Sequence, residues 1–151
     1  RGDDIVVAHV VDSPVRPRIT PMGFGFNDAA HATAFGKVLL AAMDAGQRQT
    51  YLARHGLPAM TARTICTEEG LEAELLGVRE RGIAVEREEF IHGASCLAAP
   101  VTNPSGQTIG SVAVSMDPAD FSARSSKVAV LLRDTAARVS RALRGTPLLP
   151  Q

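Results

Sequence analysis

Tryptophan is absent from this 151-residue chain, tyrosine occurs once, and aromatic residues make up only 4% of it. Aromatic rings supply much of the buried area in most cores, so the core here must be aliphatic and rich in alanine. Net charge is lacking as well, because 16 basic and 16 acidic residues cancel. A domain that grips nucleic acid carries a clustered basic excess. The arginines here are scattered, so the chain by itself is a poor DNA binder. Cysteine occurs twice, at Cys66 and Cys96, with no CxxC pair and no metal-type spacing. Reduced thiols and a cytoplasmic localisation are the resulting expectation. No apolar run reaches the roughly 18 residues that span a bilayer. No signal peptide opens the chain, and no membrane partner is expected.

What is present is ordinary for a globular protein: 45% hydrophobic and 21% charged residues. The length suits one domain, 1–151, large enough to bury a core. The chain starts at RGDDIVVAHV, almost directly in a strand pattern. That sets the expectation that an N-terminal part of the protein precedes it.

The most informative stretch is 86–117. Two apolar runs, Ala94–Val101 and Thr108–Met116, flank the turn formers Thr102–Gln107. This pattern predicts an antiparallel hairpin. Side chains alternate between faces along a strand. Val112, Val114 and Met116 therefore oppose Ser111, Ala113 and Ser115, while Leu97, Ala99 and Val101 oppose Cys96 and Ala98. One face is bulky and apolar and suits packing on helices. The other is small and slightly polar; it either packs very closely or leaves room for a ligand.

The rest of the chain reads as follows. Ile5–Val11 is a strand by its β-branched run. Val15–Thr20 is a short edge strand, given Pro17, and Pro21–Asp28 is a loop. Thr33–Met43 is a helix with Thr33 as N-cap. Gly36 in its first turn is a poor helix former and marks a close approach of backbone or ligand. Asp44–His55 is a second helix, stopped by Gly56. A third runs from the Thr67 cap to about Arg81 and stops at Gly82. Ile83–Glu88 is a strand with Glu86 on the side of Ala84. Asp117 and Pro118 open a long helix, Phe121–Leu143, with Val128, Leu132, Val139 and Leu143 as its buried stripe. Hairpin connections in this order give an α+β fold, an antiparallel sheet flanked by helices.

Several residues could carry chemistry. Cys96 as a nucleophile would need a base such as His31 or His92, but a mid-strand cysteine among small neighbours reads as structural or as a ligand-lining residue. A metal site drawn from His9, His31, His55, His92 and the two cysteines lacks helical or turn spacing, and no cofactor is implied. Glu86, Glu88 and Glu89 could pair for acid–base work, although Glu88 and Glu89 read as an exposed or salt-bridged surface. Glu86 shares the small face of the hairpin. The helix start Thr33–Lys37 suits an anion, or is simply a capped core helix with a glycine for close packing.

Three ordered stretches, HATAFGKVLLA (His31–Ala41), LEAELLGVRERGIAVEREEFIHG (Leu71–Gly93) and CLAAPVTNPSGQTIGSVAVSMDP (Cys96–Pro118), together resemble the C-terminal effector-binding domain of IclR-type bacterial transcriptional regulators. The resemblance implies a GAF-like sensor and no enzyme activity. It implies DNA contact only through an N-terminal helix-turn-helix domain outside this chain, and assembly as a homodimer or homotetramer. It also implies a small-molecule effector, a carboxylate. Carried over by position, the effector pocket would be lined by Ala34, Phe35 and Gly36, by Glu86, by Ala94 and Cys96, and by Ala113 and Ser115. Phe35 stands where small residues are common and Ala113 where a hydroxyl is common, so the resemblance favours an aromatic or aliphatic carboxylate over a two- or three-carbon keto acid. A GAF-like interaction module without a ligand is the alternative, and a Cys96-dependent enzyme a further one.

Overall fold

The computed structural model of the protein describes residues 5–15 and 28–144. A 3-10 turn, Ala30–Ala32, leads into α1 (Ala34–Ala42), followed by α2 (Ala45–His55) and α3 (Glu68–Arg81). Then come β1 (Ala84–Arg87), β2 (Ser95–Thr102), β3 (Thr108–Met116) and the long α4 (Pro118–Arg144). The strands form one antiparallel sheet in the order β1-β2-β3. The fold is α+β, as the hairpin pattern implies.

Local chemistry sets the helix ends. The Thr33 hydroxyl accepts from the Gly36 amide at 3.2 Å. Asp44 and Gln47 form a reciprocal capping box at the start of α2. Thr67 caps α3, and Gly82 ends it in the left-handed conformation. The Asp120 amide donates to Asp117 Oδ1 at 2.9 Å, which caps α4. Arg48 on α2 pairs with Glu72 on α3 and donates to the Met43 carbonyl at 2.7 Å, closing the C-terminal end of α1.

The core lies on both faces of the sheet, and the hairpin's alternation sorts it. Leu97, Ala99 and Val101, with Val112, Val114 and Met116, pack on Phe121, Leu132 and Ala136 of α4. Ala84 and Ala98 on the opposite face pack with Val38 of α1 and Leu71, Leu75 and Val78 of α3. The bulky face thus carries the long helix, and the small face carries the bundle of α1 and α3.

Two expectations change, and part of a third lies outside the described residues. Ile5–Val11 forms no strand: Val6 and Val11 are exposed, and no ladder pairs with this segment among the described residues. A β-branched run becomes a strand only where a neighbour takes its backbone hydrogen bonds. Of Val15–Thr20 and Pro21–Asp28, residues 16–27 lie outside the described residues, and Val15 sits in an exposed bend. On α4, Val139 and Leu143 are 37% and 41% exposed, whereas Phe121, Leu132, Ala136 and Ser140 are buried. Burial follows the i, i+4 row Val128, Leu132, Ala136, Ser140, which is inclined to the helix axis. Val139 and Leu143 leave the contact as the row drifts around the helix.

Candidate functional site

The register places Glu86 opposite Cys96, and Cys96 opposite Ser115, in one row across all three strands. The next row is Ala84, Ala98, Ala113. Both rows lie on the small face, on the side of α1. Ala84 and Ala98 are sealed under the helices, Cys96 is half-buried, and Ala113 and Ser115 are exposed. The face therefore runs from a closed end to an open one.

Glu86 is 2% exposed. Its Oε1 accepts from the amides of Glu89, at 2.5 Å, and Phe90, at 3.3 Å. Burial pushes its carboxyl above the usual carboxylate range, opposed by hydrogen bonds from the Cys96 thiol and those two amides. The Cys96 thiol is pushed up to about 12, first by burial and then by the Glu86 charge, while a hydrogen bond with Ser115 acts the other way. Glu86, Cys96 and Ser115 form one hydrogen-bonded row. A thiol so firmly protonated is a weak nucleophile, which assigns Cys96 to the wall of the face.

The α1 residues divide. Ala34 is fully buried in the core, and Phe35 is half-buried against the same cluster that Cys96 adjoins. A Cβ at Gly36 would collide with the backbone of Ala30, so this glycine allows the 3-10 turn to lie against α1. Ala94 is buried just before β2, and its carbonyl accepts from the Glu88 amide at 3.0 Å. The structure thus brings Glu86, Cys96, Ala113 and Ser115 onto one surface. Ala34 and Phe35 lie in the helix that packs over it, and the Gly36 Cα faces Ala30.

Two residues that the sequence placed at an anion-suited helix start and on an exposed or salt-bridged surface, Lys37 and Glu89, pair with each other in the interior. Lys37 is completely buried. Its Nζ donates to the Val85 carbonyl at 3.1 Å and to Glu89 Oε1 at 2.7 Å, with Glu74 Oε1 at 3.6 Å. Glu89 Oε2 lies 2.7 Å from the same ammonium as an ionic contact. Burial raises the Glu89 carboxyl above its ordinary range, and Lys37 opposes this. The signal was available. Lys37 is three residues after Ala34 and four before Ala41, on the apolar stripe of α1 and not on its wet side.

The strand reading of Glu88 fails, because β1 ends at Arg87 and Glu88 turns in the left-handed region at φ 56°. Its carboxylate accepts from the Gly93 amide at 3.0 Å and pairs with Arg63 at 3.3 Å. The histidines lie apart. His31 Nε2 meets the Pro58 carbonyl at 3.0 Å, and burial lowers its pKa, so the neutral ring donates this bond. His55 pairs with Asp28 and stacks on Tyr51. No group of three or more metal-ligating side chains occurs among the described residues, and none of their helices is long and apolar enough to cross a membrane. A separate groove of about 360 Å³, lined by Ala99, Thr102, Arg133 and Arg141 among others, lies between β2 and α4.

A family model described as bacterial transcriptional regulator IclR C-terminal matches residues 1–141. The probable transcriptional regulator SauR of Cupriavidus necator is 36% identical over 115 residues, covering 75% of this chain and 44% of that protein. The HTH-type transcriptional regulator KdgR of Escherichia coli is 34% identical over 136 residues, 90% of this chain and 51% of that protein. The chain spans about half the length of the curated relatives it matches. Among solved structures, the C-terminal domain of E. coli KdgR is similar with a TM-score of 0.68 at 34% identity, over 78% of this chain and 71% of that one. The inducer-binding domain of a double mutant of the PobR transcription factor from Acinetobacter, in complex with 3-hydroxybenzoic acid, gives a TM-score of 0.70 at 31% identity, over 74% and 66%.

Proposed function

We propose that this chain, which belongs to the IclR family of bacterial transcriptional regulators as their C-terminal domain, is a sensor whose effector lies on the small face of the sheet. The observation that carries the reading is the row Glu86, Cys96, Ser115, running from a buried carboxyl to an exposed hydroxyl beneath α1. A slightly polar strip that opens at Ser115, beside the sealed Ala84 and Ala98, offers a few oriented hydrogen-bonding groups within an apolar lining, the usual make-up of a small-molecule site.

The effector is an aromatic or aliphatic carboxylate. Phe35 adds a ring to the lining, and Ala113 leaves Ser115 as the hydroxyl of its strand in the two mapped rows. Both features favour apolar bulk over a keto acid of two or three carbons. The PobR domain, a similar chain, is in complex with an aromatic acid. Effector binding acts by linkage: a ligand that prefers one assembly of the homodimer or homotetramer shifts the population toward it. That shift alters DNA affinity through a helix-turn-helix domain outside this chain.

Calorimetry over benzoate, 3-hydroxybenzoate, hexanoate, pyruvate and glyoxylate tests the reading. Saturable binding of the larger acids supports it. Binding by glyoxylate and pyruvate alone would sink the choice of effector, and no binding by any of them would favour an interaction module without a ligand.

A further inference from the structure

We propose that Lys37 is the positioning residue of this site: buried and out of contact with the effector, it fixes the first turn of α1 against the turn that aims Glu86. The functional meaning of this rests on the sensor reading above, whereas its substance rests on the ion-pair geometry.

Lysine is among the residues least often buried, and removing an ammonium from water is costly. A fully buried lysine in a nine-residue helix therefore needs a reason. Its backbone amide closes the first turn of α1 on the Thr33 carbonyl at 2.9 Å. Its side chain ends at the Val85 carbonyl, immediately before Glu86, and at the Glu89 carboxylate, three residues after it. Glu89 is also the residue whose amide donates to Glu86 Oε1. One ammonium thus grips the 85–90 turn on both sides of Glu86. The turn needs gripping, because Glu88 occupies the left-handed region that residues other than glycine rarely adopt. The Thr61 and Thr64 hydroxyls also hold it, donating to the Glu88 and Glu89 carbonyls at 2.7 and 2.6 Å. Those bonds tie it to the loop before α3. The lysine ties it to α1, the helix that packs over the small face.

Cys96 is a reporter for this arrangement, because the Glu86 charge is one of the causes that keep its thiol protonated. A turn released from Lys37 moves or hydrates Glu86, and each unit of fall in the thiol pKa gives about tenfold more thiolate at fixed pH.

The test measures iodoacetamide alkylation of Cys96 in the full chain, with Cys66→Ser removing the exposed thiol. Lys37→Met with Glu89→Gln deletes both charges at nearly constant shape. The expected result is a cooperative melt with Cys96 reacting about tenfold faster, and a pH–rate profile shifted to lower pH. A variant that merely melts earlier reacts through its unfolded molecules, so its rise follows the unfolding constant measured in the same buffer, and only a rise beyond that constant supports the proposal. Glu89→Gln alone is expected to give a smaller rise, and it decides the matter if the double variant fails to fold. Glu74→Gln, at the more distant partner, is expected to change nothing. Wild-type rates and profiles in both the double variant and Glu89→Gln would overturn the proposal. Protection of Cys96 by benzoate is measured alongside. If benzoate does not protect the wild type while the charge-pair variants still react faster, the positioning role stands and the carboxylate reading falls.

Discussion

Cys96 and Ser115 stand directly opposite each other on β2 and β3, joined by a hydrogen bond between their side chains; the cysteine is half-buried and the serine exposed. The pair marks where the small face passes from packed interior to open surface.

Ser115→Leu fills the open end of the face. The position is exposed, so the added side chain meets little resistance, and stability is expected to stay within about 0.5 kcal/mol of wild type. Binding of any acid that the wild type binds is expected to fall at least tenfold by calorimetry, with a matching melt. Unchanged binding would show that the effector lies elsewhere.

Leu97→Ala tests the opposite face. Leu97 is 2% exposed on the central strand and packs in the cluster that includes Phe121, Leu132 and Ala136 of α4. Truncation leaves a cavity costing about 2–5 kcal/mol, which lowers the melting midpoint by roughly 5–20 °C for a chain of this size. Calorimetric scanning measures it.

Lys37→Met alone leaves the Glu89 carboxyl buried without its cation. Breaking a buried pair from one side costs about 3–5 kcal/mol, whereas replacing both partners is often nearly neutral. Urea denaturation is expected to show a large loss for the single variant and recovery of most of it when Glu89→Gln is added.

The raised Glu86 carboxyl predicts a pH dependence. Its folded pKa lies above the ordinary value of 4.5, so the folded state holds this proton more tightly than the unfolded chain. The resulting stabilisation is complete below 4.5 and is lost as pH rises through the folded value. Glu89 shifts in the same direction. Buried neutral His31 acts oppositely, losing stability as pH falls below about 6.5. The difference in unfolding free energy between wild type and Glu86→Gln isolates the Glu86 contribution. The variant is expected to gain on the wild type as pH rises from 4.5 toward neutrality. A difference independent of pH would contradict the assignment.

Much of this architecture was legible because its causes are local. The hairpin's two faces follow from strict alternation in Leu97–Val101 and Val112–Met116. The starts of α1, α2, α3 and α4 follow from the side chains of Thr33, Asp44, Thr67 and Asp117. What was not legible depends on partners distant in sequence. Ile5–Val11 has the composition of a strand and no ladder among the described residues. The reach of Lys37 to Glu89 spans 52 positions; from sequence alone its place beside Gly36 suggested a helix start suited to an anion. Val139 and Leu143 fit a helical stripe, but the inclined contact row of α4 selects Ala136 and Ser140 instead. At the candidate site, the common face of Cys96, Ala113 and Ser115 was legible from period two, and Glu86 joins it through the pairing of β1 with β2, whereas the graded exposure along the face was not legible.

The most direct test of the central claim is a backbone amide NMR titration of the protein with benzoate, 3-hydroxybenzoate and hexanoate. Saturable shift changes centred on Glu86, Ala94, Cys96, Ala113, Ser115 and the first turn of α1 are the predicted result. Saturable changes centred on α4, or none with any of the three acids, would contradict it.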